Sequence, residues 1–256
     1  MLSAQRKSHL LDILDRDGRV VAKNVALELG LSEDSIRRDL RELAGEGKLT
    51  RVYGGALPVA AADLPVEQRS SLATESKRRV AARAAELISP DSTVVLDAGT
   101  TALMLARALP PVSDLTVITP SPVVAMTVAE HSDATVVMIG GQLARYSMVA
   151  SGAMALEAIQ HLVADVFFMG VTGIDPSRGL TTGNLEDAVV KRAIAGRCAE
   201  TYVLGSEEKI GATSRYAVLD IENVAGVIVD PLDANALIAQ LPTARNAKTR
   251  DARSGR

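Results

Sequence analysis

The chain has 256 residues, 47% of them hydrophobic, enough for two domains with cores of their own. Four tyrosines, two phenylalanines and no tryptophan leave too few aromatic platforms for stacking single-stranded bases, while the lone Cys198 and the scattered His9, His131 and His161 exclude an internal disulfide and argue against a metal site, so no cofactor is expected. The formal charge of −3 is uneven, about +1 over residues 1–58, about −8 over 59–241 and about +4 beyond, so any contact with phosphates has to be local to the N-terminal arginines.

Arg6 to Leu14 reads as a first helix, with Leu10, Leu11, Ile13 and Leu14 as its apolar positions. Ala22 to Leu29 reads as a second, offering Val25, Ala26 and Leu29. The turn Gly30-Leu31-Ser32 is short enough to set the next helix at a steep angle. Ser32 suits an N-cap, and Glu33 and Asp34 sit where the helix dipole favours negative charge. Ile36, Leu40 and Leu43 recur at helical spacing as one buried face, with Ser35, Arg37, Arg38 and Arg41 off it. From Gly45 to Gly55 the chain reads as a short basic hairpin carrying Lys48 and Arg51.

Three arginines on a helix are by themselves an ordinary solvated face. Helix, turn, helix and basic hairpin in that order are the pattern of a winged helix-turn-helix, here over residues 1–57. Its partner is double-stranded DNA, because arginine forks match guanine edges and phosphates. The candidate contacts are Ser32, Ser35, Arg37, Arg38 and Arg41 on the recognition helix and Lys48 and Arg51 in the wing.

The Pro/Ala segment from Pro58 to Pro65 reads as a linker, assigned to residues 58–74. From 75 to 241 strands and helices alternate: a helix from Glu75 to Ile88, a strand at Thr93–Leu96, a helix from Ala102 to Leu109, a strand at Leu115–Ile118, a helix from Pro122 to His131 and a strand at Thr135–Ile139. A helix from Gly152 to Leu162, a strand at Asp165–Met169 and a helix from Leu185 to Cys198 follow. Strands at Thr201–Leu204, Ala217–Leu219 and Gly226–Val229 precede a last helix from Ala234 to Leu241. The strands are continuous Val/Ile/Leu runs, as a sheet covered on both faces requires, so an α/β domain with a mostly parallel sheet is expected. The tail over 242–256, with Arg245, Lys248, Arg250, Arg253 and Arg256, has no apolar periodicity and reads as a disordered basic segment, solubilising or adding nonspecific DNA affinity. No apolar run reaches spanning length and the start leads into a charged helix, so no membrane partner and a cytoplasmic location are expected.

In such sheets ligands bind at the carboxyl ends of strands. Leu96 leads into Asp97-Ala98-Gly99-Thr100-Thr101 directly before a helix, where Gly99 admits an anion and the threonines supply hydroxyls and amides. Ile118 leads into Thr119-Pro120-Ser121, Ile139 into Gly140-Gly141, and Leu204 into Gly205-Ser206-Glu207-Glu208-Lys209. Each alone is an ordinary turn; their recurrence at one end of successive strands favours a pocket. Asp97, Thr100, Thr101 and Lys209 are expected to converge there on a phosphorylated ligand, with Asp97 accepting from a sugar hydroxyl. The alternative is that Asp97 caps the following helix and Lys209 is solvated.

These residues carry a resemblance. From Arg6 onward, Leu31-Ser32, Ile36-Arg37-Arg38-Asp39-Leu40 and Gly54-Gly55-Ala56 fall in the order of the DeoR/GlpR family of bacterial sugar-operon regulators, which the chain resembles up to about Leu241. The resemblance implies a sensor domain of the ribose-5-phosphate isomerase and coenzyme A transferase type. It implies a repressor of a sugar or polyol catabolic operon, an operator DNA partner, and release by a phosphorylated sugar or polyol. The family's effector residues map to Asp97, Gly99, Thr100, Thr101, Ser121, Gly141 and Lys209. The chain departs from the family pattern at Thr119-Pro120-Ser121, usually Thr-Asn-Ser, at Gly205-Ser206-Glu207-Glu208-Lys209, usually Ala-Asp-Ser-Ser-Lys, and at Ser35, usually threonine. An enzyme of the isomerase fold is the competing class. Such enzymes carry Asp-Gly-Ala-Asp where this chain has Thr172-Gly173-Ile174-Asp175, and Asp175 with Lys209 makes no evident acid/base set. A DNA binder without an effector is the third reading. Half-site geometry favours a homodimer or homotetramer.

Overall fold

Helical spacing of Leu10, Ile13 and Leu14 builds the first element of the computed structural model, α1 (Ser3–Asp17). The structure describes residues 3–17, 20–46, 48–52, 54–57, 72–145 and 147–242, in two units, residues 1–64 and 65–256. The expected linker over Pro58–Pro65 and the basic tail from residue 243 lie outside the described residues.

In the first unit α1 is followed by β1 (Val20–Val21), α2 (Ala22–Leu29), α3 (Glu33–Gly45), β2 (Thr50–Val52) and β3 (Gly55–Leu57). The expected helix-turn-helix and hairpin are present, and α2 has the bounds read from its periodicity. The core joins Leu10, Ile13 and Leu14 of α1 to Val25 and Ala26 of α2 and to Ile36, Leu40 and Leu43 of α3. Each such buried aliphatic side chain contributes roughly 1.5–3 kcal/mol, so this stripe decides which face of α3 turns outward. The sheet has the order β1-β3-β2. β1 was not expected, because two residues, Val20 opposite Ala56 and Val21 opposite Gly55, offer no periodicity to read.

The second unit begins with α4 (Thr74–Ala85), then β4 (Thr93–Leu96), α5 (Thr100–Arg107), β5 (Thr116–Thr119), α6 (Pro122–His131) and β6 (Thr135–Met138). A hairpin of β7 (Gln142–Ala144) and β8 (Val149–Ser151) leads into α7 (Gly152–Gln160) and β9 (Ala164–Met169). Next come β10 (Gly173–Asp175), β11 (Gly179–Thr182), α8 (Leu185–Ala195) and β12 (Cys198–Gly205). A 3-10 turn (Glu207–Lys209), β13 (Tyr216–Leu219), β14 (Gly226–Val229) and a final 3-10 helix (Ala236–Gln240) complete it.

Six of these strands form one sheet in the order β14-β12-β9-β4-β5-β6, and every pairing in it is parallel. Successive residues point to opposite faces. Val94 and Leu96 of β4 therefore join α4, α5 and α6 through Val80, Ala84, Leu105 and Val124. Val95 joins α7 and α8 through Ile159 and Ile194 on the other face. Burial on both faces is why the inner strands read as unbroken apolar runs, while the edge strand β6 leaves Val137 and Met138 exposed.

Two expectations need correction. Tyr216–Leu219 does not extend the parallel sheet; β13 pairs with β11 in a separate sheet of order β10-β11-β13 with antiparallel pairs. Its other two strands, Gly173–Asp175 and Gly179–Thr182, carry glycines and threonines that resemble turn residues in sequence. The last helix is a 3-10 segment, not an α-helix from Ala234, because Asn235 caps Leu237 and the run is only five residues long.

Candidate nucleic-acid interface and effector site

Ser32 caps α3 as expected: its Oγ accepts from the Ser35 N–H at 3.3 Å and lies 2.9 Å from Ser35 Oγ. Ile36, Leu40 and Leu43 are buried, while Arg37, Arg38 and Arg41 are exposed. Arg37 donates to Glu33 Oε1 one turn earlier at 2.7 Å. Arg38 and Arg41 have no ion-pair partner among the described residues. In the wing Lys48 lies 2.8 Å from Glu46 Oε2, and Arg51 is exposed on β2. Leu49 is buried and pins the wing to the core.

One residue of this helix escaped sequence reasoning. Asp39 is buried at 2% exposure, accepts from Arg6 Nη2 at 3.0 Å and also bonds Arg6 Nε and Ser3 Oγ. The pair fastens α1 to α3 behind the arginines. An acidic residue three positions after Ile36 falls on the buried stripe and calls for a cation, so the signal was there to be read.

In the second unit β4 has β5 on one side and β9 on the other, while the chain leaves β4 through α5 toward β5. Its carboxyl end is thus a switch point of the sheet. Asp97 stands there at 1% exposure. Its Oδ1 accepts from the Ala98 N–H at 2.8 Å, and its Oδ2 from the Gly170 N–H at 2.8 Å and Lys191 Nζ at 2.5 Å. Lys191 also lies 3.1 Å from Asp187 Oδ1, and Asp187 Oδ2 accepts from Thr182 Oγ1 at 2.6 Å. Burial raises the Asp97 carboxyl above its ordinary value, against the pull of Lys191. Burial also opposes the charge of Lys191, but Asp187 and Asp97 together hold its pKa above the ordinary lysine value. The charge of Asp187 adds to burial in raising Asp97, while the two carboxylates together favour the protonated Lys191.

Asp97 does not cap α5. Gly99 holds the N-cap position at φ 100° and ψ 173°, with no side-chain cap bond. A Cβ there would meet nothing within 4 Å, so space lies open at this point, but the positive φ favours glycine. Thr101 is buried and Thr100 half-buried at the first turn. Lys209, from the turn after β12, donates to Leu204 O at 3.0 Å and sits 3.4 Å from Thr101 Oγ1. Burial pushes its pKa down to about 8, with Glu208 opposing. It forms no salt bridge among the described residues.

The structure therefore brings together Asp97, Gly99, Thr100, Thr101 and Lys209. Ser121 and Gly141 are held by contacts of their own. Ser121 Oγ caps α6 by accepting from the Val124 N–H at 3.5 Å, and the neighbouring Pro120 carbonyl accepts from Ala150 N–H at 2.7 Å. Gly141, at φ 145°, packs so closely that a Cβ would fall 2.6 Å from Ser151 O. Asp187 was not anticipated. Asp187 and Lys191, four apart on a helix whose Ala188, Val190 and Ile194 are buried, were the available signal.

A winged helix-turn-helix joined to a three-layer α/β unit with a polar switch point defines a two-part DNA-binding regulator. Residues 6–60 match the DeoR-like helix-turn-helix domain and residues 72–231 the DeoR C terminal sensor domain. The chain belongs to the DeoR family of transcriptional regulators. It is 33% identical over 240 residues to the HTH-type transcriptional regulator GlpR of Haloferax volcanii, covering 92% of this chain and 93% of that one. It is 29% identical over 231 residues to the glycerol-3-phosphate regulon repressor of Escherichia coli K12, covering 90% and 92%. A solved ribose-5-phosphate isomerase in complex with phospho-erythronic acid is 21% identical, with a TM-score of 0.41 over 54% of each chain. The relatives are named as regulators and repressors, and the family is one of DNA-binding regulators, not enzymes. Among the described residues no helix is long and apolar enough to cross a membrane.

Proposed function

We propose that this regulator represses a sugar or polyol catabolic operon and is released by a phosphorylated sugar or polyol bound at the carboxyl end of β4. The observation that carries this reading is Lys209 Nζ lying 3.4 Å from Thr101 Oγ1 across 108 residues of chain, beside the first turn of a helix whose N-cap is an uncapped glycine. A helix N-terminus with free amides, hydroxyls and one ammonium without a carboxylate partner suits a phosphate. Asp97 would act by holding Lys191 and the Gly170 loop, since its oxygens already accept three donors. Ser121 and Gly141 would shape the rim. One relative is named for the glycerol-3-phosphate regulon, which fits a phosphorylated polyol. Ser32, Ser35, Arg37, Arg38, Arg41, Lys48 and Arg51 would contact operator DNA, and an even number of subunits would match two half-sites.

The test is a gel-shift titration of the operator against glycerol 3-phosphate, fructose 1-phosphate, fructose 6-phosphate and ribose 5-phosphate. One of them should weaken binding by the wild type, while Lys209→Ala and Thr100→Val should bind operator normally and ignore it. An unchanged titration with every phosphate, or full release of both variants, would refute the reading.

A further inference from the structure

The turn that carries Lys209 is fastened on its other side to α4, the first helix described after the segment that joins the two units. The Glu207 N–H donates to Ser76 Oγ at 3.0 Å. Glu208 Oε1 lies 3.3 Å from Lys77 Nζ and accepts from Ser206 Oγ at 2.9 Å. Lys77, buried at 2% exposure, also donates to Leu72 O at 2.6 Å, just ahead of the helix. Two residues later Arg79 makes two bonds of 2.7 Å to Asp230 at the end of β14. The start of α4 is thus held by polar contacts to loops at the carboxyl edge of the sheet.

Two features make this fastening more than packing. A buried ion pair is a costly way to join a helix to a loop, since apolar side chains of similar size do so at least as well. Moreover, Glu208 Oε2 is buried with no hydrogen-bond partner among the described residues, so the arrangement is not fully satisfied. Lys209, three bonds along the same turn, spends its donors on Leu204 O and Thr101 Oγ1. An anion at the start of α5 would draw the ammonium away from them. The turn is only three residues long, so Lys209 cannot move far without Glu207 and Glu208.

We propose that Glu207–Lys209 is the switch of the sensor: Lys209 reads the effector's anionic group, and Glu208 and the Glu207 amide pass the position of the turn to α4 through Lys77 and Ser76. The proposal rests on the effector site assigned above. A ligand shifts such an equilibrium only by its differential affinity for the two positions of the turn, and that difference resides in whether Lys209 faces Leu204 O or the anion.

The experiment uses the full-length protein, its operator, and glycerol 3-phosphate, fructose 1-phosphate, fructose 6-phosphate and ribose 5-phosphate as probes. Wild type, Glu208→Gln and Lys77→Met are compared, with Lys77→Arg as a variant that keeps the charge and the fold. Without any probe, amide exchange over Thr74–Val80 should be about tenfold faster in Glu208→Gln and Lys77→Met than in wild type or Lys77→Arg, while β9 stays protected. The probe that weakens wild-type operator binding should still stabilise Glu208→Gln thermally, yet shift its operator affinity less than about twofold. Full operator release in Glu208→Gln, or exchange in α4 identical to wild type, would overturn the relay. If no probe moves the wild type, the effector reading falls, and α4 exchange alone decides the relay: faster exchange upholds the link from turn to helix, and unchanged exchange overturns it.

Discussion

Lys191→Met removes the ammonium that Asp97 and Asp187 share. Lys191 is 5% exposed, Asp97 1% and Asp187 9%, so water does not replace it. Asp97 keeps the N–H groups of Ala98 and Gly170, and Asp187 keeps the Thr182 hydroxyl. Neither carboxylate is stripped of donors, but both lose their cation. Removing one partner of a buried pair costs about 3–5 kcal/mol, a large share of the 5–15 kcal/mol that typically holds a domain. The pH dependence has a definite sign. Burial already holds the Asp97 pKa above its ordinary value, and loss of Lys191 raises it further. A carboxyl whose pKa is higher folded than unfolded contributes stability at low pH and loses it as pH rises through the folded value. The deficit against wild type should therefore be larger at neutral pH than at an acidic pH nearer the ordinary carboxylate value. Urea denaturation followed by far-UV circular dichroism at both pH values measures it. A loss below about 1 kcal/mol, or the same loss at both pH values, would refute the account of a buried charge triad.

Arg37→Ala with Arg38→Ala should cost about 1–3 kcal/mol of specific operator affinity for each base read; unchanged gel shifts from a folded double variant would remove α3 from the interface. Ser32→Ala should lower the thermal stability of the first unit by about 1 kcal/mol, because it strips the cap of α3. Calorimetric affinity for the active phosphate should fall as pH rises through about 8, where Lys209 loses its proton; a flat profile would exclude its ammonium from the site. Arg79, by its hydrogen bonds, holds Asp230 down to about 2. That stability is present above the ordinary carboxylate value and lost as pH falls toward 2. Arg79→Ala should thus be less stable than wild type near neutrality and converge with it in acid, as thermal melts across pH would record.

Much of the fold was legible because its signals are local. Ser32 and Ser121 sit before helices and cap them, and Pro122 opens α6 where proline suits the first turn. The bounds of α2, α6, β4 and β14 agree with the periodicity of a few residues. The loops at the strand ends were legible for a related reason: glycine and threonine cluster where strands of one direction end. The small sheet β10-β11-β13 was hidden, since its strands are stabilised by pairing with each other and not by an alternating pattern of their own.

By itself the sequence determined the helix-turn-helix with its outward arginines, the buried parallel strands, and the position of Asp97, Thr100 and Lys209 at strand ends. These follow from forces between residues a turn or a pleat apart. Only the tertiary structure decided what those groups meet. Lys191, on α8, reaches Asp97 across 94 residues and Lys209, just after β12, reaches Thr101 across 108, because the order β12-β9-β4 brings the carboxyl ends of β12 and β4 within one strand of each other. Asp97 consequently spends its charge on a lysine in the core, and the ammonium left without a carboxylate is that of Lys209. Which carboxylate neutralises which cation depends on strand order, and strand order is a balance of burial over the whole sheet that no local run of residues records.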